Sequence, residues 1–326
     1  MLRLACRAVV LAAMPFALST GAVTGSEPSP GLHGRVRAVK VVVLSTMLAD
    51  SGIGEWGFAA LVEADGHRIL FDTGARPDTV LKNARELGID LAAVHDVVLS
   101  HNHGDHTGGL VALRREHAKA NPDALSRAWV GRGIFLPRVP APPSAGMAAV
   151  KAAYEADGGR FVELDEPREL FPGVWLTGPV PRVNPERNWS GTGRIQTDQG
   201  TVEDNLPEDQ ALVFDTDRGL VVLFGCGHAG VVNTLTYARK RVREAPVYAV
   251  LGGLHLFEKD DAALDWTADR LRPLGIANLL GAHCTGLEAV YHLRARLGLD
   301  RGRCVVGAVG ASFTLDGGID PLKLAR

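Results

Sequence analysis

The sequence predicts an α/β fold whose chemistry sits at the ends of buried strands. Short apolar runs recur along the chain and stop at Gly-containing turns, as buried strands do. Four of these turns carry histidine. Val97-Val98-Leu99 leads into Ser100-His101-Asn102-His103-Gly104-Asp105-His106, and the run 220–224 leads into Gly225-Cys226-Gly227-His228. The runs 248–251 and 277–280 lead into Gly252-Gly253-Leu254-His255 and Gly281-Ala282-His283-Cys284. Six of the eleven histidines lie at these four strand ends. Open α/β sheets place ligand chemistry just beyond the carboxyl ends of their strands.

In chain order, Arg3 and Arg7 flank the start of an apolar stretch over residues 8–18, and small residues follow through Ser26. This is the layout of a secretory signal peptide over residues 1–26, expected to be removed. The apolar core is too short to span a bilayer and Pro15 interrupts it, so export to a bacterial periplasm or beyond is expected. An uncleaved membrane anchor is the alternative. A linker over 27–37 then precedes one domain over 38–326.

Within that domain, residues 39–44, 58–63 and 68–71 read as strands, with Asp65-Gly66 as a hairpin turn between the last two. Residues 77–87 carry Val80, Leu81, Ala84 and Leu87 at helical spacing, and Gly88 is a stop signal. Residues 110–119 read as another helix with His117 on its surface, and residues 137–147 as a Pro- and Gly-rich loop. The stretch 180–209 is polar and holds Gly191, Gly193 and Gly200. A structureless stretch of that length inside a domain is usually functional, so it reads as a substrate-facing lid. Arg182 within it and Asp209 at its end are candidate substrate contacts.

The 326 residues are 46% hydrophobic and 22% charged with a formal net charge of −2, an ordinary globular balance. No basic stripe is present, which argues against nucleic acid as a partner. Cys6 falls in the signal segment, leaving Cys226, Cys284 and Cys304. An odd count leaves at least one thiol unpaired within the monomer. Cys226 and Cys284 stand beside candidate ligand histidines, whereas Cys304 sits in an apolar run and reads as a small buried hydrophobe.

His101, His103, Asp105 and His106 put four potential ligands within six positions. Neutral imidazoles and a carboxylate suit zinc and other borderline first-row metals. A strand releasing them into a tight Gly-containing turn can aim several side chains at one volume.

The His-x-His-x-Asp-His pattern after a strand, preceded by Phe71-Asp72-Thr73-Gly74, resembles the metallo-β-lactamase superfamily. Further segments resemble one branch, the metal-dependent hydrolases related to the methanogen dihydropterin ribofuranosyl-aminobenzene phosphate synthase. These are Glu55-Trp56-Gly57-Phe58, Glu208-Asp209-Gln210-Ala211-Leu212, Gly225-Cys226-Gly227-His228, Gly252-Gly253-Leu254-His255 and His283-Cys284-Thr285-Gly286. The resemblance spans about residues 38–312.

The resemblance implies an αββα sandwich, two mixed β-sheets flanked by helices, with two divalent metal ions at one edge: zinc, or else manganese or iron. By position, His101 and His103 would bind the first metal, and Asp105, His106 and His283 the second. Asp72 would brace the metal loop by hydrogen bonds. The chain departs from the superfamily pattern where a third His for the first metal usually precedes a strand and a bridging Asp ends it. His228 is therefore assigned as that imidazole, and Cys226 stands either at the bridging position or beside it. Within the branch, Asn102 and Gly104 replace a usual Gly and a bulky residue, and Trp56 stands where His is common.

The expected function is water activation by two metals against an ester, phosphoester or lactone-type small molecule. Asp105 would orient the nucleophile. His255 would either protonate the leaving group or stabilise negative charge, or else serve only as a structural hydrogen bonder. A synthase or transferase activating a phosphate in a pterin-related reaction, and a non-catalytic metal-binding sensor, are the alternatives.

Overall fold

The computed structural model describes residues 34–140 and 146–324. The expected signal peptide lies outside these residues, as does most of the expected linker. From Val36 the chain is already paired: its amide donates to Asp215 O at 2.8 Å, and the Arg37 and Ala38 amides donate to the Asp65 carboxylate. Among the described residues no helix is long and apolar enough to cross a membrane.

Two mixed sheets carry the fold. The first has eight strands in the spatial order Gly318–Asp320, Ser312–Thr314, Val39–Ser45, Ala59–Ala64, His67–Phe71, Asp96–Val98, Arg127–Gly131 and Arg160–Leu164. The second has seven, in the order Cys304–Val306, Asn278–Gly281, Val247–Gly252, Gly219–Phe224, Leu212–Thr216, Val174–Leu176 and Arg168–Phe171. The positive φ of Asp65 and Gly66 closes the predicted hairpin between Ala59–Ala64 and His67–Phe71.

Side-chain alternation sorts each strand between two faces. Val41 and Val43 point between the sheets, where they meet Phe58, Phe71, Leu212, Phe214, Val221, Leu223, Leu251 and Phe313. Val42 and Leu44 point outward, under the helices Thr79–Glu86, Leu110–Ala118 and Gly146–Ala156. In the second sheet Leu220, Val222 and Phe224 face outward instead, under Val231–Arg241, Asp261–Leu271 and Leu287–Leu297. Helix, sheet, sheet, helix is the layering that results.

The topology aims the strand ends. Gly219–Phe224, Val247–Gly252, Asn278–Gly281 and Cys304–Val306 run parallel, as do His67–Phe71 and Asp96–Val98 in the other sheet. Their carboxyl ends release the histidine-bearing turns.

Two expectations change in detail. The polar stretch 180–209 holds a hairpin, Arg194–Thr197 with Gly200–Glu203, which joins Arg138–Val139 in a third, three-stranded sheet. It is also pinned down. Asn233 Oδ1 accepts from the amides of Val183 and Asn184, and Glu186 accepts from those of Val232 and Asn233. Ile195 is its one buried residue, so no apolar alternation marks it. His117 is half-buried on its helix, and burial pushes its pKa down.

Candidate metal centre

The His101–His106 cassette follows Asp96–Val98 and turns into the short helix Gly104–Thr107. The turn is pressed against residues 73–75. A Cβ on Gly108 would stand 2.0 Å from Ala75 O, so no larger residue fits there. Thr73 grips the carbonyl of His106 with its amide at 2.7 Å and its hydroxyl at 2.8 Å.

Asp72 organises the loop from below. Its fully buried carboxylate accepts from Ser100 N (2.7 Å), Ser100 Oγ (2.7 Å) and His106 Nδ1 (2.7 Å). Because Ser100 Oγ donates to Asp72, it accepts from His101 Nδ1 at 2.8 Å. One carboxylate thereby fixes Nδ1 of two imidazoles as a donor, so that Nε2 is the atom each ring presents to the centre. On the opposite sheet His228 Nδ1 donates to the carbonyl of Asn188, which can only accept. His228 Nε2 is buried and has no partner in the protein.

These Nε2 atoms converge on Cys226. Its Sγ lies 3.0 Å from His106 Nε2, and His106 Nε2 lies 3.3 Å from His283 Nε2. Two of the three triplets that share this sulfur are His101–Cys226–His228 and His106–Cys226–His283, each with its donor atoms within 4.8 Å of one another. Asp105 joins the second triplet, its Oδ2 standing 3.3 Å from His283 Nε2. His103 lies beside the first, with Nδ1 3.0 Å from His101 Nε2 and its ring 4.8 Å from that of His228. Cys284 Sγ stands 3.1 Å from Cys226 Sγ, both thiols are free, and with His255 they form a third triplet.

The electrostatics suit a cation. Burial pushes His103 down to about 4 and holds His101 and His228 well below the ordinary imidazole range, so all three rings are neutral donors. Burial also pushes His106 down, but the charge and hydrogen bond of Asp72 outweigh it and raise this ring to about 9. A cation taking His106 Nε2 therefore displaces a proton. Burial pushes the Asp105 carboxyl up, but the His283 hydrogen bond and the His106 charge hold it well below the usual range. Neutral imidazoles, an ionised carboxylate, a thiol and an unpartnered buried nitrogen fit a borderline divalent metal.

Backbone strain gathers here as well. Asp72, His255 and His283 all have left-handed φ, at 56°, 49° and 48°. Each such residue costs about 1–3 kcal/mol and persists only where its surroundings impose it. For His283 the amide donates to Thr46 Oγ1 at 2.9 Å, and for His255 it donates to Cys284 Sγ at 3.3 Å.

Comparison with known proteins places this chain in a family. Residues 57–121 match the family described as the metallo-beta-lactamase superfamily. The 7,8-dihydropterin-6-methyl-4-(beta-D-ribofuranosyl)-aminobenzene-5'-phosphate synthase of Methanocaldococcus jannaschii is 30% identical over 272 residues, 78% of this chain and 90% of that protein. The chain belongs to the metallo-beta-lactamase superfamily. Its branch is the one that holds this synthase. Among solved structures, Tm1679, a metal-dependent hydrolase of the superfamily, is 26% identical with a TM-score of 0.67, covering 86% of this chain and 99% of its own. Zinc-bound PqqB from Methylobacterium extorquens shares the fold at 16% identity and a TM-score of 0.51, covering 85% and 99%.

Set in the superfamily fold, the residues singled out in the sequence fall into two groups. His101, His103, Asp105, His106, Cys226, His228, His255 and His283 surround one volume, with Asp72 beneath it. Arg182 and Asp209 lie beside this volume and make backbone hydrogen bonds there. Arg182 donates to the carbonyls of Asn205 and Leu206, and Asp209 Oδ2 accepts from Ala229 N at 2.8 Å, next to His228. Burial pushes Asp209 up to about 7. Its neighbours act the same way: Glu208 accepts from Asn102 N at 2.9 Å, and Gln210 Nε2 donates to Leu99 O at 3.0 Å. The segment 208–210 thus stitches the first-sheet cassette to the His228 turn.

Sequence reasoning did not single out Ser100, Asn188 or Glu208. Ser100, next to the cassette and opposite a conspicuous Asp72, had a signal in its position. Asn188 acts through a backbone carbonyl, which no residue type announces.

Proposed function

We propose that this chain is an exported metal-dependent hydrolase with a dinuclear centre, acting on an ester, phosphoester or lactone-type small molecule. His101, His103 and His228 would hold one divalent ion, Asp105, His106 and His283 the other, and Cys226 would lie between them. The observation that carries the reading is the single sulfur shared by two donor triplets. Imidazole and thiolate donors favour zinc or iron over manganese. Bound there, the ions supply Lewis acidity, acidifying water and polarising a phosphoryl or acyl oxygen.

The chain's own groups do the rest. Asp105, held ionised, orients the attacking water by accepting its hydrogen bond. His255, whose ring centroid lies 4.4 Å from that of His228, carries a buried Nδ1 without a protein partner. It supplies a proton to the leaving group or a hydrogen bond to developing negative charge. Export rests on residues 1–26, and mass analysis of the mature chain from its native host, showing loss of the first twenty-odd residues, tests it.

The 30% identical synthase supports a second reading, in which the same centre activates a phosphate for bond formation between two substrates. Turnover of phosphodiester, lactone and thioester substrates in ¹⁸O-labelled water separates the two. A hydrolase places the label in product. A synthase leaves the single substrates unchanged and makes product only when a second substrate is added.

A further inference from the structure

Among the described residues three aromatic side chains (Phe, Tyr or Trp) are exposed, and two of them, Trp56 and Phe257, stand together at this centre. Trp56 is 48% exposed and Phe257 41%. Their ring centroids are 5.3 Å apart in an edge-to-face arrangement. Trp56 lies 4.9 Å from the ring of His283 and Phe257 lies 5.4 Å from the ring of His255, so the pair borders the His106–His283 donor group and His255 at once.

The backbone beneath them is clamped. Glu55, 6% exposed, accepts through Oε1 from Ser45 Oγ (2.8 Å) and Ala75 N (2.9 Å), and through Oε2 from Arg76 N (3.2 Å) and Thr79 Oγ1 (2.8 Å). On the other side of Trp56, a Cβ on Gly57 would stand 2.7 Å from Ala75 N and 2.9 Å from Asp105 O. Phe58 N donates to that same Asp105 carbonyl at 3.1 Å. Phe257 is tied to the facing loop, its amide donating to Cys284 O at 3.3 Å. Exposed indole on so fixed a backbone gains nothing for the fold, but it offers flat apolar surface whose ordering cost is already met.

We propose that Trp56 and Phe257 form a preorganised platform that binds a planar aromatic ring of the substrate, carried close to the phosphoryl or acyl group at the centre. This rests on the metal-centre reading of the site. Trp56 acts as the specificity determinant, because it alone of the pair leans on a donor of the His106 group.

The test measures calorimetric binding of phenylphosphonate and methylphosphonate to the full chain, metal-replete, alongside Trp56→Ala and Trp56→Phe. Phenylphosphonate should bind at least about tenfold more tightly than methylphosphonate. In Trp56→Ala that ratio should fall towards one with metal content and melting temperature unchanged, and Trp56→Phe should restore part of it. Methylphosphonate binding without a phenyl preference, or a preference that survives Trp56→Ala, overturns the platform and leaves the metal reading standing. Phenylphosphonate binding that needs Trp56, with no methylphosphonate binding at all, supports the platform and removes the metal reading. Binding of neither ligand overturns the platform, as does a concentration-dependent dimer that Trp56→Ala abolishes, since the exposed rings would then serve another copy of the chain.

Discussion

His106 and His228 face the shared Cys226 from opposite sheets and are held by different partners. His106 Nδ1 donates to the buried Asp72 carboxylate at 2.7 Å, in a loop packed onto the strand ends of the first sheet. His228 Nδ1 donates to the neutral carbonyl of Asn188, in the polar stretch that also carries the small third sheet. The first arrangement raises the ring to about 9 despite its burial, and the second leaves its ring well below the ordinary range. One side of the centre is therefore braced by charge within the core, and the other by a segment laid across it. A carboxylate-braced imidazole is the more basic ligand. The centre should accordingly lose its two ions unequally when its supports are altered, and together only when the shared sulfur is changed.

The largest effect belongs to that sulfur. Cys226→Ser replaces a soft thiolate with a hard, weakly acidic hydroxyl and should lower the affinity of both ions by more than about 100-fold, beyond the usual cost of losing a supporting group. Metal titration of the variant checks this, and two ions held with unchanged affinity would reduce Cys226 to packing. His255→Ala should keep both ions, since neither triplet of the proposed centre includes it, while kcat drops about 10²–10³-fold. Loss of an ion would instead make His255 a ligand.

The two braces themselves give smaller, unequal effects. Asp72→Asn keeps the shape but removes the charge, and should weaken the His106–His283 ion by about 10–100-fold and the His101–His228 ion less, because Asp72 reaches His101 only through Ser100. Asn188→Ala removes the side-chain bonds of Asn188 to Gly227 O (3.3 Å) and Leu254 O (3.4 Å) that hold its carbonyl under His228. It should weaken only the His101–His228 ion, by about tenfold. Equal loss of both ions in these two variants would break the contrast.

Much of this could be read from residue order. The cassette spacing pointed to ligands gathered in one turn, and the apolar run 39–44 pointed to a strand, which the structure places at Val39–Ser45 with Val41 and Val43 inside and Val42 and Leu44 outside. The bracing role of Asp72 came from the family resemblance, and its carboxylate accepts from Ser100 and His106. The hairpin within 180–209 was hidden because its exposed residues carry no apolar period. For Arg182 and Asp209, residue order showed charge beside the site but not the hydrogen bonds that tie each to a backbone group. The exposure of Trp56 was likewise invisible, since an apolar residue next to a strand start reads as core until the sheet is built.

The central claim is a two-ion centre with a shared thiolate, and elemental analysis of the purified, metal-supplemented full chain tests it most directly. About two divalent ions per chain are predicted for the wild type, with both depleted in Cys226→Ser and only one in Asn188→Ala. One ion or only trace metal in folded wild-type protein would contradict it.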